Sequence, residues 1–225
     1  MAIALAHQTD EDIQREVLLE LKWDARIAPN EIGVAVKNAV VTLTGDVDTF
    51  GKKSAAERAA LRVRGVKGVA NEIEVRLPVA NRPTDPQIAE AASRALALDS
   101  ILPGDAIKVT VSHGWVTVEG EVEWQYQRRE AERVVRNLRG VKGVSNLVTL
   151  RPRSGPSPDE MRKKIEDALV RSAETDARNI TVTTEGRKVI LSGTVRSWAE
   201  RQEAERVAWL APGVTEVENR IHLQP

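Results

Sequence analysis

Apolar residues recur along this chain in two rhythms, and the order of the rhythms is written three times. Ile13, Val17 and Leu21 stand four apart, as do Ile88, Ala92 and Leu96 and then Met161, Ile165 and Leu169, so each set lays one apolar stripe along a helix. A period of two follows in Ile32/Val34/Val36, Ile107/Val109/Val111 and Ile180/Val182, the mark of a half-buried strand. Turn formers come next, Lys37-Asn38, Ser112-His113-Gly114 and Glu185-Gly186-Arg187, and predict a hairpin. The second strand carries Val41, Leu43, Gly45 and Val47 on one parity, matched by Val116, Val118, Gly120 and Val122 and by Val189, Leu191, Gly193 and Val195. That parity places the glycine on the core side, where its missing side chain is expected to let the next helix cross close to the sheet.

The helix expected there has apolar residues at i, i+3, i+4 and i+7: Ala56, Ala59, Ala60 and Val63; Ala131, Val134, Val135 and Leu138; Ala204, Val207, Ala208 and Ala211. Gly65, Gly140 and Gly213 then fall where a left-handed helix cap is wanted. A last alternating strand holds Val69, Ile73 and Val75, then Val144, Val148 and Leu150, then Val217, Ile221 and Leu223. Helix starts are signalled by Thr9-Asp10-Glu11-Asp12, by Asp85-Pro86 with Asp85 as the cap, and by the capping box Ser157-Pro158-Asp159-Glu160.

The copies are offset by 75 and 73 residues, with 20 residues between the two marker glycines in each, so the unit is fixed and the connections absorb the drift. The fold class is α+β: three tandem αββαβ modules, each a three-stranded mixed sheet with two helices on one face. The divisions fall at a tail over 1–9, modules over 10–77, 86–151 and 158–225, and proline-spaced linkers over 78–85 and 152–157.

This pattern resembles the BON module (bacterial OsmY and nodulation): an apolar helix, an I-x-V-x-V strand, a strand ending V-x-L-x-G-x-V, an alanine-rich helix with an A-x-R turn, and a closing G-V-x-x-V-x-N strand. It covers nearly the whole chain. The resemblance implies a non-enzymatic protein without a cofactor, in envelope or osmotic stress, because members of this family look like phospholipid-surface binders or, in a cytoplasmic relative, a potassium binder. A potassium sensor is therefore the alternative to a phospholipid or protein partner, and its site would be built largely from carbonyl oxygens.

Composition narrows the partners. Thirty-three basic and thirty-three acidic residues cancel, so no whole-protein field draws in nucleic acid, and any electrostatic partner must use a local patch. Cysteine is absent, which removes disulfides and thiolate metal sites. Residues 1–8 lack the basic start and apolar core of a secretory signal, and no run has membrane-spanning length. A cytoplasmic chain is expected, and a periplasmic one would need a start upstream of Met1.

Little in the sequence points to catalysis. His7, His113 and His222 form no i, i+4 pair, and Gly51-Lys52-Lys53-Ser54 misses the phosphate-loop pattern, because Gly45 lies one residue too far upstream and Lys53 holds the hydroxyl position. Asn71, Asn146 and Asn219 recur on the last strand and are expected to bond neighbouring backbone.

One feature is not common to the copies. Arg129, Arg133 and Arg136 lie nearly opposite the apolar face of the middle module's second helix, where the other modules have Ser54, Arg58 and Leu61 or Gln202, Arg206 and Trp209. With Arg128, Arg139 and Lys142 they predict a basic outer stripe for anionic headgroups or an acidic partner. Phe50, Trp124, Tyr126 and Trp198 fall where the second strand gives way to this helix, as a staple over its start or an interfacial anchor.

Overall fold

The computed structural model describes residues 8–76, 82–103, 106–152, 155–172 and 179–224. The first copy runs α1 (Asp10–Trp23), β1 (Ile32–Lys37), β2 (Val40–Val47), α2 (Phe50–Arg62) and a last strand in two pieces, β3 (Gly68–Asn71) and β4 (Glu74–Val75). The second has α3 (Asp85–Leu98), β5 (Ile107–Ser112), β6 (Trp115–Val122), α4 (Gln125–Arg136) and β7 (Gly143–Leu150). The third has α5 (Pro158–Arg171), β8 (Ile180–Glu185), β9 (Lys188–Val195), α6 (Trp198–Trp209) and β10 (Glu216–Leu223). In every copy the second strand is central, antiparallel to the first and parallel to the last. The expected three-fold αββαβ architecture is what the chain adopts. The expected linkers fall partly on 78–81 and 153–154, outside the described residues.

Each module has its own core. Ile13, Val17 and Leu21 meet Val41, Leu43 and the alanines of α2, and the same positions repeat around Val116/Val118 and Val189/Leu191. Alanine at 56, 59 and 60, all wholly buried, lets α2 lie low on the sheet.

The marker glycines have a different reason from the one expected. Gly45, Gly120 and Gly193 have φ of 125°, 152° and 129°, and a Cβ there would come within 2.0, 2.0 and 1.9 Å of the carbonyl oxygens of Glu31, Ala106 and Asn179. The close approach is to the backbone leading into the first strand, not to the helix. Gly65, Gly140 and Gly213, with φ of 85°, 90° and 88°, likewise do not cap the helix itself. Each sits at the third position of a turn closed by Val66 N–H to Val63 O, Val141 N–H to Leu138 O or Val214 N–H to Ala211 O, where a type II turn requires positive φ.

A carboxylate clamp links helix to hairpin in two modules. The Asp10 carboxylate accepts hydrogen bonds from the backbone N–H groups of Asn38 and Ala39, both at 2.8 Å, and Asp85 accepts from His113 and Gly114 at 2.7 and 2.9 Å. Asp85 is thus not the helix cap. Thr84 precedes α3 and its N–H donates to Gln87, which leaves the Asp85 carboxylate for the turn. In the third module Pro158 holds this place, and Thr184 donates to its carbonyl oxygen instead.

Candidate functional site

The second helices meet head to tail around a ring. The start of α2 lies against the end of α4: Phe50 packs on the core of the middle module, and a Cβ on Gly51 would come within 2.7 Å of Asn137 Oδ1. The start of α4 faces the end of α6, where Trp124, Tyr126 and Arg129 line a groove with Trp209 and Leu210. Trp198 and Arg201 at the start of α6 face Gly65, Val66 and Lys67, the turn that follows α2. Each junction sets a helix start, partially positive, near a helix end, partially negative, an orientation that dipoles favour.

This arrangement relocates the aromatic residues. Phe50, Trp124, Tyr126 and Trp198 stand at the junctions between modules, where each second helix starts. Trp124 and Tyr126 stack with ring centroids 6.4 Å apart, and the Arg201 guanidinium lies 5.0 Å from the Trp198 ring centroid. Tyr126 remains 54% exposed.

The basic stripe is split by the same packing. Arg129 and Arg133 are exposed, whereas Arg136 turns into the α2–α4 seam and donates to Ser54 Oγ at 3.3 Å. Arg128 is half-buried, and Arg139 and Lys142 are exposed near the turn after α4. Arg133 pairs with Glu130, and that ion pair holds the Glu130 carboxyl below its ordinary range. Though exposed, Arg129 lines the groove against the third module, and partial desolvation there lowers its pKa, with Glu205 opposing that shift and Arg206 adding to it. Sequence periodicity places all three on one helix face, but it carries no signal of which neighbour that face meets.

The recurring asparagines tie the last strand to the second helix. Nδ2 of Asn71, Asn146 and Asn219 donates to the carbonyl oxygens of Lys53, Arg128 and Arg201, at 3.2, 2.7 and 3.3 Å. Their Oδ1 atoms accept from the N–H groups of Ile73, Val148 and Ile221. Both ends of each amide are thus engaged by backbone.

A cavity of about 730 Å³ opens at the α2–α4 seam. Arg26, Lys52, Arg58, Arg133 and Arg136 line it, and among the described residues no carboxylate does. Sequence reading missed it because its walls come from two modules. Among the described residues no cluster of three or more His, Asp or Glu side chains is placed to hold a metal, and no helix is long and apolar enough to cross a membrane.

The BON domain model matches residues 9–76, 84–152 and 158–225, and the chain belongs to the BON-domain family. It is similar to osmotically-inducible protein Y of Escherichia coli (strain K12), 30% identical over 61% of this chain and 70% of the relative. It is also similar to a 21 kDa hemolysin of Actinobacillus pleuropneumoniae, 28% identical over 62% of this chain and 73% of the relative. Among solved structures, CdsD, a structural protein of the type III secretion system of Chlamydia trachomatis, aligns with 95% of this chain and 93% of its own at 14% identity. Its TM-score of 0.27 carries no argument.

Proposed function

We propose that this chain is a non-enzymatic binding protein of the osmotic and envelope stress response that engages an acidic partner, first of all an anionic phospholipid surface, through the helix α4 of its middle module. The stress context comes from its similarity to osmotically-inducible protein Y. The observation that carries the ligand class is the charge of α4. Arg129 and Arg133 stay exposed on it and Tyr126 stands exposed at its start, whereas the same positions of α2 are half-buried Ser54 and Arg58. Arginines near an anionic surface each add about 1 kcal/mol of attraction, and an exposed tyrosine suits the headgroup level.

A thermal-shift screen tests this reading. Anionic vesicles should raise the unfolding temperature, because a ligand that binds only the folded state stabilises it by mass action, and potassium chloride should do no more than sodium chloride. Stabilisation by potassium alone would contradict the reading and favour an ion sensor.

A further inference from the structure

We propose that the seam between α2 and α4 is a binding site for a phosphoryl group, held between Arg58 of the first module and Arg136 of the second. The inference rests on the anionic-partner reading for the sign of the ligand's charge and goes beyond it in place and chemistry. The two guanidinium groups converge on one oxygen: Arg58 donates to Ser54 Oγ at 2.7 Å and Arg136 to the same atom at 3.3 Å. Like charges brought together across a seam repel unless an anion lies between them.

Comparison of the three copies makes Arg58 the exception. Its counterparts Arg133 and Arg206 each pair with a glutamate three residues earlier on the same helix, Glu130 and Glu203. At the corresponding place α2 has Ala55, wholly buried in the core. Among the described residues no carboxylate forms an ion pair with Arg58, and burial, then the charge of Arg136, pushes its pKa down. The fold accepts a glutamate at this position in the other two modules, and without it Arg58 is held only by the neutral Ser54 hydroxyl, a bond that leaves its charge for an outside anion.

The other lining cations are already committed: Arg26 to Asp24 and Lys52 to Asp48 at 2.5 and 2.8 Å, and Arg133 to Glu130. Arg136 reaches Glu132 only at 3.6 Å. Two forked donors facing one another suit a tetrahedral oxyanion, which offers several acceptor oxygens and, as a monoester, about −1.5 to −2 charges. The cavity, at about 730 Å³, leaves room for the group that carries the phosphate. The counterparts of Arg136 are Leu61 and Trp209, so neither other seam can repeat the arrangement.

Calorimetric titration of the full chain tests the site, with inorganic pyrophosphate in one arm and vesicles of phosphatidylcholine with or without phosphatidic acid in the other. Wild type should bind at least one phosphoryl source. Arg58→Gln and Arg136→Gln should each weaken that binding about tenfold or more, and Arg94→Gln, on the exposed face of α3, should not. Pyrophosphate binding assigns a soluble phosphate ester. Binding of phosphatidic acid vesicles alone, still sensitive to Arg58→Gln, assigns a lipid headgroup. Arg58→Lys, which keeps the charge, serves if the glutamine variant melts early without ligand, and it should bind more weakly through loss of the fork. Binding of neither source, or equal affinity of wild type and Arg58→Gln, overturns the site. Vesicle binding that ignores Arg58 but needs Arg129 and Arg133 overturns the seam while leaving the surface reading standing. Pyrophosphate binding that needs Arg58, with no vesicle binding, supports the seam and sinks the surface reading.

Discussion

Asn146 on β7 donates through Nδ2 to the carbonyl oxygen of Arg128 on α4, 2.7 Å away, in the helix that carries the basic residues. Its Oδ1 accepts from Val148 N–H, so one side chain fixes helix and strand together. Replacement by alanine leaves the Val148 N–H without its acceptor and unties the strand from α4, which should cost about 1 to 3 kcal/mol. Urea denaturation of Asn146→Ala checks this, and an unchanged midpoint would mean that water replaces the amide without loss.

Gly120 combines positive φ with a carbonyl oxygen 2.0 Å from the place of a Cβ, so even alanine should cost about 1 to 3 kcal/mol in strain alone. Gly68 lies at ordinary φ with open space around it, and Gly68→Ala should be neutral or stabilise by about 0.4 to 1 kcal/mol. Melting temperatures of the two variants should move apart. Equal shifts would remove the backbone argument for the marker glycine.

The aspartate clamps predict an uneven response among the modules. Asp10→Ala and Asp85→Ala each remove two hydrogen bonds to hairpin amides and should cost about 1 to 2 kcal/mol, with faster amide exchange at Asn38/Ala39 or His113/Gly114. Pro158→Ala has no such clamp to lose. Exchange at Gly186 should therefore be indifferent to it, and a change as large as in the other two would contradict the assignment.

Acid should weaken the fold over a definite window. A hydrogen bond from Arg26 holds the mostly buried Asp24 carboxyl at about 2, below its ordinary 3.8, and Arg220 with Lys188 holds the half-buried Glu218 at about 2. A carboxyl whose folded pKa is depressed stabilises above its unfolded pKa, and that contribution is lost as pH falls toward the folded value. The urea midpoint should thus drop between about pH 4 and about pH 2, and Asp24→Asn should flatten part of the drop. An identical pH profile for the variant would show that the ion pair adds nothing.

The repeat made the fold readable before any coordinate. Val41/Leu43/Val47 and Ala56/Ala59/Ala60 announce strand and helix by their periods, and all are buried. The reasons behind Gly45 and Gly65 were not readable, because a bare glycine at a given parity does not say whether helix, strand or turn needs it. Nor was the seam. The spacing of Arg129, Arg133 and Arg136 defines a helix face, but Ser54 Oγ, 82 positions before Arg136, reaches it only through the docking of modules.

That docking is the centre of the account, since the α2–α4 cavity exists only if the modules close against one another. The chain has no cysteine, so a pair introduced as Gly51→Cys with Asn137→Cys gives a clean report. Under mild oxidation at low concentration this pair should form an intrachain disulfide rapidly, seen as faster migration on a non-reducing gel, while a Gly51→Cys/Arg94→Cys pair should not. Equal, slow crosslinking of both pairs would mean modules strung on free linkers, with no seam between α2 and α4.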